Sequence, residues 1–174
     1  MKRTPLYQEH VELGAKLISF AGWEMPVFYT SIIEEHVAVR RSAGIFDVSH
    51  MGDLIIRGKG AKELIRGLIT NELEGIEVGR AVYGHILDEG GFIIDDVIVY
   101  HWREGEYLMV PNAATTDRVL GWVNAHKTTQ EVIDVSERLA CIALQGPIAA
   151  EVLKELTLFD LPTLKHMSGG FMEL

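Results

Sequence analysis

Two adjacent carboxylates, Asp95 and Asp96, sit in the run Ile93-Ile94-Asp95-Asp96-Val97-Ile98-Val99, which is otherwise apolar on both faces. Side chains alternate along a strand, so these two point to opposite faces. Asp95 is then flanked by Ile93, Val97 and Val99, and Asp96 by Phe92, Ile94, Ile98 and Tyr100. A carboxylate in such surroundings costs on the order of several kcal/mol unless it is paired or hydrogen-bonded. Two readings follow. Either one aspartate is paired structurally while the other emerges into solvent, or at least one faces a cavity and binds a polar ligand group. Diverging carboxylates cannot flank one glycosidic bond.

Other reactive residue types are less specific. His50, His85 and His101 match no metal-ligand spacing, and CxxC, HExxH and EF-hand patterns are lacking. Cys141, within Ala140-Cys141-Ile142-Ala143-Leu144, reads as a small hydrophobe in a strand. The sequence has no GxSxG, GxxxxGK or GxGxxG, so hydrolase, P-loop and Rossmann readings have no anchor. Trp23, Tyr29, Tyr83, Tyr100 and Trp102 could stack on a flat heterocycle or serve as rim aromatics. Asn112, one residue past Pro111, could contact a ligand or cap a helix.

The elements that must position these residues are legible from periodicity. Thr4-Pro5 predicts an N-cap and a short helix ending near Gly14. Residues 20–30 read as a packed aromatic loop around Pro26. Ser31 with Glu34 forms a capping box for a helix running towards Gly44. A strand from Ile45 to Arg57 is broken at Ser49-His50-Met51-Gly52, and Gly60 to Glu74 forms a second amphipathic helix. Ala81–Leu87 and Phe92–Tyr100 make a hairpin across Asp88-Glu89-Gly90-Gly91. Further strands are expected at 107–110, 131–135 and 140–144, with helices within 112–126 and 146–156. Gly169-Gly170 reads as a turn, and a strand follows from Phe171. This order predicts an α+β fold with a mixed, largely antiparallel sheet and packed helices.

With 174 residues, 48% of them hydrophobic, the chain can bury one sizeable core or two small ones. A net charge of −9, from 16 basic and 25 acidic residues, argues against a phosphate-driven nucleic-acid binder. The longest apolar candidate, 92–100, contains two aspartates and falls far short of the about 20 residues a membrane span needs. One cysteine and no recognisable leader before Thr4 lead to the expectation of a reducing cytoplasm.

Several motifs in order carry a resemblance. Thr4-Pro5-Leu6-Tyr7 with His10, Phe20-Ala21-Gly22-Trp23-Glu24-Met25-Pro26 and Phe46-Asp47-Val48-Ser49-His50-Met51-Gly52 come first. Ile69-Thr70-Asn71, Gly90-Gly91-Phe92-Ile93-Ile94-Asp95-Asp96 and Gln145-Gly146-Pro147 follow. From Thr4 to about Leu156 the chain resembles the aminomethyltransferase (T-protein) family of the glycine cleavage system. The resemblance implies transfer of an aminomethyl group from the lipoyl arm of H-protein to tetrahydrofolate, giving 5,10-methylenetetrahydrofolate and ammonia. It implies Asp96 as the catalytic carboxylate near the folate nitrogens, with Met51, Tyr83, Val110 and Asn112 as further folate contacts. It also implies that residues 1–174 form the N-terminal folate-binding region of a protein about twice as long, without its C-terminal barrel-like domain. Lys165-His166-Met167 departs from the family's aromatic residues there, and no site residue is expected beyond Asn112. Alternatives are a folate-dependent demethylase of a methylated amine or sulfonium, or a non-catalytic folate-binding protein; the FDVSHMG and GWEMP runs favour the T-protein over the latter.

Overall fold

In the computed structural model, which describes residues 1–171, the segment expected as an aromatic loop is a hairpin. Strand β1 (Lys2–Arg3) and helix α1 (Tyr7–Glu12) precede β2 (Lys16–Phe20) and β3 (Trp23–Phe28). Ala21 and Gly22 turn the chain with φ of 48° and 83°, the paired positive angles of a tight hairpin turn. Pro26 is tolerated in β3 for two reasons. The short β1 pairs only with Trp23 and Glu24, so the strand is an edge by Pro26, and the β2–β3 register shifts there. Helix α1 ends as expected, with Gly14 at φ 72°, but Leu6 is its N-cap and not Thr4.

Helix α2 (Ile32–Arg41) begins at the capping-box residue, since the Ser31 hydroxyl accepts from the Glu34 amide at 3.4 Å. Beyond it, β4 (Gly44–Asp47) and β5 (Leu54–Arg57) flank the predicted break. The break does more than interrupt a strand: β4 and β5 belong to different sheets and to different compact units. One unit comprises Met1–His50 and Glu137–Leu164, and the other Met51–Ser136 with Lys165–Gly170.

The second unit holds the main core. Helix α3 (Ala61–Leu68) precedes β6 (Ala81–Leu87), β7 (Ile93–Arg103) and β8 (Glu106–Val110), followed by α4 (Thr116–His126) and β9 (Glu131–Asp134). The strands form one antiparallel sheet in the order β6-β7-β8-β5-β9. Leu54, Ile56, Val97, Val99 and Met109 project from one sheet face and join Ile65 of α3 and Val119 and Val123 of α4 in a continuous apolar cluster. Helix α3 is shorter than its apolar stripe, because Ile69 is extended and bridges to Ile86. The chain then returns to the first unit with β10 (Ile142–Gln145), antiparallel to β4, and α5 (Ala149–Lys154). Cys141 precedes β10 and is exposed, where a small hydrophobe within the strand is expected from the sequence. The strand expected from Phe171 onward lies largely outside the described residues. No helix among the described residues is long and apolar enough to cross a membrane.

A buried acid sits at the edge of the second unit's core. Asp53 is 6% exposed, and its amide donates to the Ser136 hydroxyl at 2.9 Å. Burial, with the charge of Asp134 adding to it, pushes the Asp53 carboxyl from 3.8 up to about 6. Between these values the folded state holds more proton than the unfolded chain, so stability falls as pH rises through the window. Asp53→Asn removes that penalty. The variant is expected to be more stable than the parent by about 2–3 kcal/mol above pH 6 and equal to it below pH 4. Urea titrations at pH 4 and pH 7.5 check this; a gain that does not depend on pH would sink it.

Candidate functional site

Asp95 and Asp96 do point to opposite faces, and their environments differ. Asp95 is buried at 6% exposure, whereas Asp96 is exposed. Strict alternation fails one residue earlier. Leu87 pairs with Ile93 and Ile86 with Asp95, so Ile94 is an extra residue in β7. This bulge resets the alternation: Ile94 is buried next to Asp95, and Ile93 is exposed. Ile93 therefore does not flank Asp95 in the core as alternation alone requires.

Asn112 joins the two aspartates. Its backbone amide donates to Asp95 Oδ2 and its Nδ2 to Asp95 Oδ1, both at 2.9 Å. The same Nδ2 lies 3.1 Å from Asp96 Oδ1 and 3.1 Å from the Asp96 carbonyl oxygen. Asp95 is thus the structurally paired carboxylate, and its role is to hold Asn112. Asn112 does not cap α4 with its side chain; its carbonyl oxygen accepts from the hydroxyls of Thr115 and Thr116. The other Asp96 oxygen, Oδ2, accepts from the Tyr83 hydroxyl at 3.1 Å. That bond, with burial and the charges of Asp96 and Asp95, raises the Tyr83 pKa, so Tyr83 stays a donor at neutral pH.

Strand register sets the rest of the site. Tyr83 pairs with Ile98 and Ile98 with Val110, so the three form a row on the same face as Asp96, opposite to the helices. Tyr83 is 48% exposed, and Ile98 and Val110 are half-buried. His85 lies across from Asp96, its ring edge-on to Tyr83. Met51 is brought in by its neighbour, because the Gly52 amide donates to the Pro111 carbonyl at 3.0 Å. The approach requires glycine: a Cβ at position 52 would come within 2.7 Å of Pro111 and 2.6 Å of Thr116. The five residues expected as a site therefore converge on one region, through two hydrogen-bonded links, one cross-strand row and one tethered loop. Together they present a carboxylate with a fixed donor on each oxygen beside an apolar shelf. Such an anion can accept from a ligand N–H or balance a positive charge, while the shelf covers a flat ring.

The three histidines do not assemble. His101 stacks on Tyr107 in the core and shares a hydrogen bond with the Ile76 carbonyl, whereas His50 meets Phe20 edge-on. Among the described residues, no group of three or more His, Cys, Asp or Glu side chains is placed to hold a metal ion.

A second polar cluster, in the first unit, escaped sequence reasoning. His10 Nε2 lies 2.8 Å from Asp47 Oδ2 and His10 Nδ1 2.8 Å from the Tyr29 hydroxyl. Thr4 donates to Asp47 Oδ2 at 2.6 Å, which is why it does not cap α1, and the Ser49 amide donates to Asp47 Oδ1 at 2.9 Å. An ionised Asp47 can only accept, so Nε2 carries a proton, and Nδ1 shares the second bond with the Tyr29 hydroxyl. Thr4, His10, Asp47 and Ser49 all lie in recognisable motifs, but nothing in their spacing reveals that they meet.

The sheet, its covered face and the clamped acid on the opposite face define an α+β module with an exposed polar cluster on its open face. The chain belongs to the GCVT N-terminal domain family, which it matches over residues 6–174. It is 48% identical over 170 residues to the aminomethyltransferase of Thermotoga maritima, covering 97% of this chain and 47% of that protein. The aminomethyltransferase of Geobacillus kaustophilus is 46% identical over 169 residues, with 97% and 46% covered. The crystal structure of glycine cleavage system aminomethyltransferase T from Bartonella henselae superposes with a TM-score of 0.89 at 32% identity, covering 97% of this chain and 46% of that chain. The chain thus spans about half the length of the relatives it matches.

Proposed function

We propose that this chain acts as the N-terminal folate-binding region of an aminomethyltransferase. The reaction moves the aminomethyl group from the lipoyl arm of H-protein to tetrahydrofolate, releases ammonia and leaves 5,10-methylenetetrahydrofolate. The observation that carries this reading is the exposed Asp96 carboxylate, held between Tyr83 and Asn112 beside the Ile98–Val110 shelf. Tetrahydrofolate fits that chemistry: its pyrimidinone and aminobenzoyl rings offer flat apolar faces, and its reacting nitrogens, which lie between them, can meet a fixed anion. In this role Asp96 orients the folate nitrogens towards the incoming carbon and offsets positive charge that develops there. Tyr83 and Asn112 keep the carboxylate from turning, and Met51 and Val110 contact the ring. The relatives' name supports the same assignment, and the cytoplasm is the compartment proposed for it.

Titration of the purified chain with tetrahydrofolate under reducing, anaerobic conditions tests the reading. Saturable one-to-one binding is expected, weakened several-fold in Tyr83→Phe, which leaves Asp96 Oδ2 without its donor. Absence of saturable binding would reject the site. Addition of aminomethylated H-protein and the remaining half of a relative then tests ammonia release.

A further inference from the structure

Thr70, in the Ile69-Thr70-Asn71 run, fixes the strand position of His85. The Thr70 amide donates to the His85 carbonyl at 2.9 Å, and the His85 amide donates to the Thr70 hydroxyl at 3.0 Å. Both backbone groups of His85 are therefore turned to the outer edge of β6, away from β7. His85 and Asp96, which stand opposite each other, form a non-hydrogen-bonded pair, the kind whose side chains come closest in an antiparallel sheet. Their Cβ atoms are then about 4.5–5.5 Å apart. The His85 ring meets the Tyr83 ring edge-on, with centroids 5.5 Å apart, and Tyr83 is the residue that holds Asp96 Oδ2. The imidazole is half-buried, and among the described residues none makes a hydrogen bond to either ring nitrogen.

Aminomethyl transfer to tetrahydrofolate has a proton balance that Asp96 does not close by itself. Two bonds form, from the transferred carbon to the two folate nitrogens, and two break, from that carbon to the amine nitrogen and to the lipoyl sulfur. Each folate nitrogen sheds its hydrogen as a proton. The amine and the sulfur leave with the bonding electrons and take up one proton each. The carbon stays at one oxidation level, so no oxidant or reductant enters. Asp96 acts there as an anion, and it loses that charge if it keeps a proton. Each of its oxygens also already accepts from a fixed donor, Tyr83 or Asn112. Tyr83 is committed as a donor, with its pKa raised by that same bond. A neutral imidazole has an acceptor nitrogen and an N–H on the other side, so it takes a proton from one partner and yields one to the next.

We propose that His85 is the proton acceptor for the reacting folate nitrogens, with Asp96 orienting them and Thr70 holding His85 in place. The assignment rests on the folate reading and adds a catalytic group to it.

Condensation of tetrahydrofolate with formaldehyde tests it in the 174-residue chain without H-protein. That reaction forms the same two bonds at the same nitrogens, and the formaldehyde oxygen leaves as water with the two protons. With tetrahydrofolate fully bound under anaerobic conditions, His85→Gln is expected to form 5,10-methylenetetrahydrofolate about 100-fold more slowly than the parent. Its affinity for tetrahydrofolate, read by isothermal titration, is expected to match the parent's. Added imidazole is expected to restore the rate of His85→Ala and to leave the parent's unchanged, which a merely structural role does not produce. Equal rates in the parent and His85→Gln would overturn the assignment and leave the folate reading intact. So would a His85→Ala rate that imidazole does not raise. A parent chain that binds no tetrahydrofolate would overturn both.

Discussion

Asp96→Asn is expected to weaken tetrahydrofolate binding by about 10- to 100-fold and to leave the unfolding midpoint almost unchanged. Loss of one charge-assisted hydrogen bond, about 1.5–3 kcal/mol, sets the size of the first effect. The second follows from exposure: Asp96 lies on the open face, and the Tyr83 hydroxyl can turn to accept from an amide. Asp95→Asn should reverse the pattern. The Asn112 backbone amide cannot become an acceptor, and flipping the Asn112 carboxamide to meet the new amide nitrogen would turn its Oδ1 onto the Asp96 carbonyl and carboxylate oxygens, so one mismatch remains. That mismatch, in a residue only 6% exposed, costs about 1–3 kcal/mol and lowers the midpoint by several degrees. Isothermal titration and thermal unfolding of both variants separate the roles. Equal loss of binding in both, with no change in midpoint, would refute the division between a ligand-facing and a structural carboxylate.

Asp47→Ala carries the largest expected loss of stability, about 3–5 kcal/mol. The Asp47 side chain is 1% exposed and receives hydrogen bonds from Thr4, His10 and the Ser49 amide, so truncation strands several buried donors at once. Burial pushes the Asp47 carboxyl up, but the hydrogen bonds from His10, Ser49 and Thr4 outweigh it and hold it below the ordinary carboxylate range. Its contribution is therefore complete above the unfolded value near 4 and fades as pH falls through the lower folded value. Urea unfolding should show the full difference between parent and variant at pH 7 and a smaller one only in strong acid. A difference below about 1 kcal/mol at pH 7 would refute the account. Trp23, buried in the same unit, is a local fluorescence reporter.

Asp53 acts in the opposite sense. Asp47 is buried with donors and stabilises when charged, whereas Asp53 is buried within the field of the Asp134 carboxylate and destabilises when charged. Their types and apolar surroundings in the sequence do not distinguish them. The difference lies in partners that come from 37 and 43 residues away for Asp47, and from Ser136 and Asp134 across the sheet for Asp53.

Much of the fold was readable because it rests on local rules. The capping box of α2, the Asp88 turn of the β6–β7 hairpin and the short apolar run of β8 each follow from residues within one or two turns of chain. The segment around Pro26 reads as a loop in the sequence because proline disfavours central strands, and only pairing reveals that β3 is an edge there. Likewise, the helix expected to run to Glu74 stops at Leu68, where Ile69 bridges to Ile86 instead of continuing the turn. Local propensity gave way to a tertiary contact.

At the site, the sequence by itself determined that Asp95 and Asp96 diverge, because alternation is a property of any extended backbone. It also carried the family resemblance, in motifs that run from Thr4 to Pro147. Tertiary structure alone decided which aspartate meets solvent. Helices α3 and α4 cover the face of Val97 and Val99, Asn112 takes both oxygens of Asp95 on that side, and Asp96 remains on the other face with Tyr83. Which face of a strand is buried depends on what packs against it, and that information lies in segments distant along the chain.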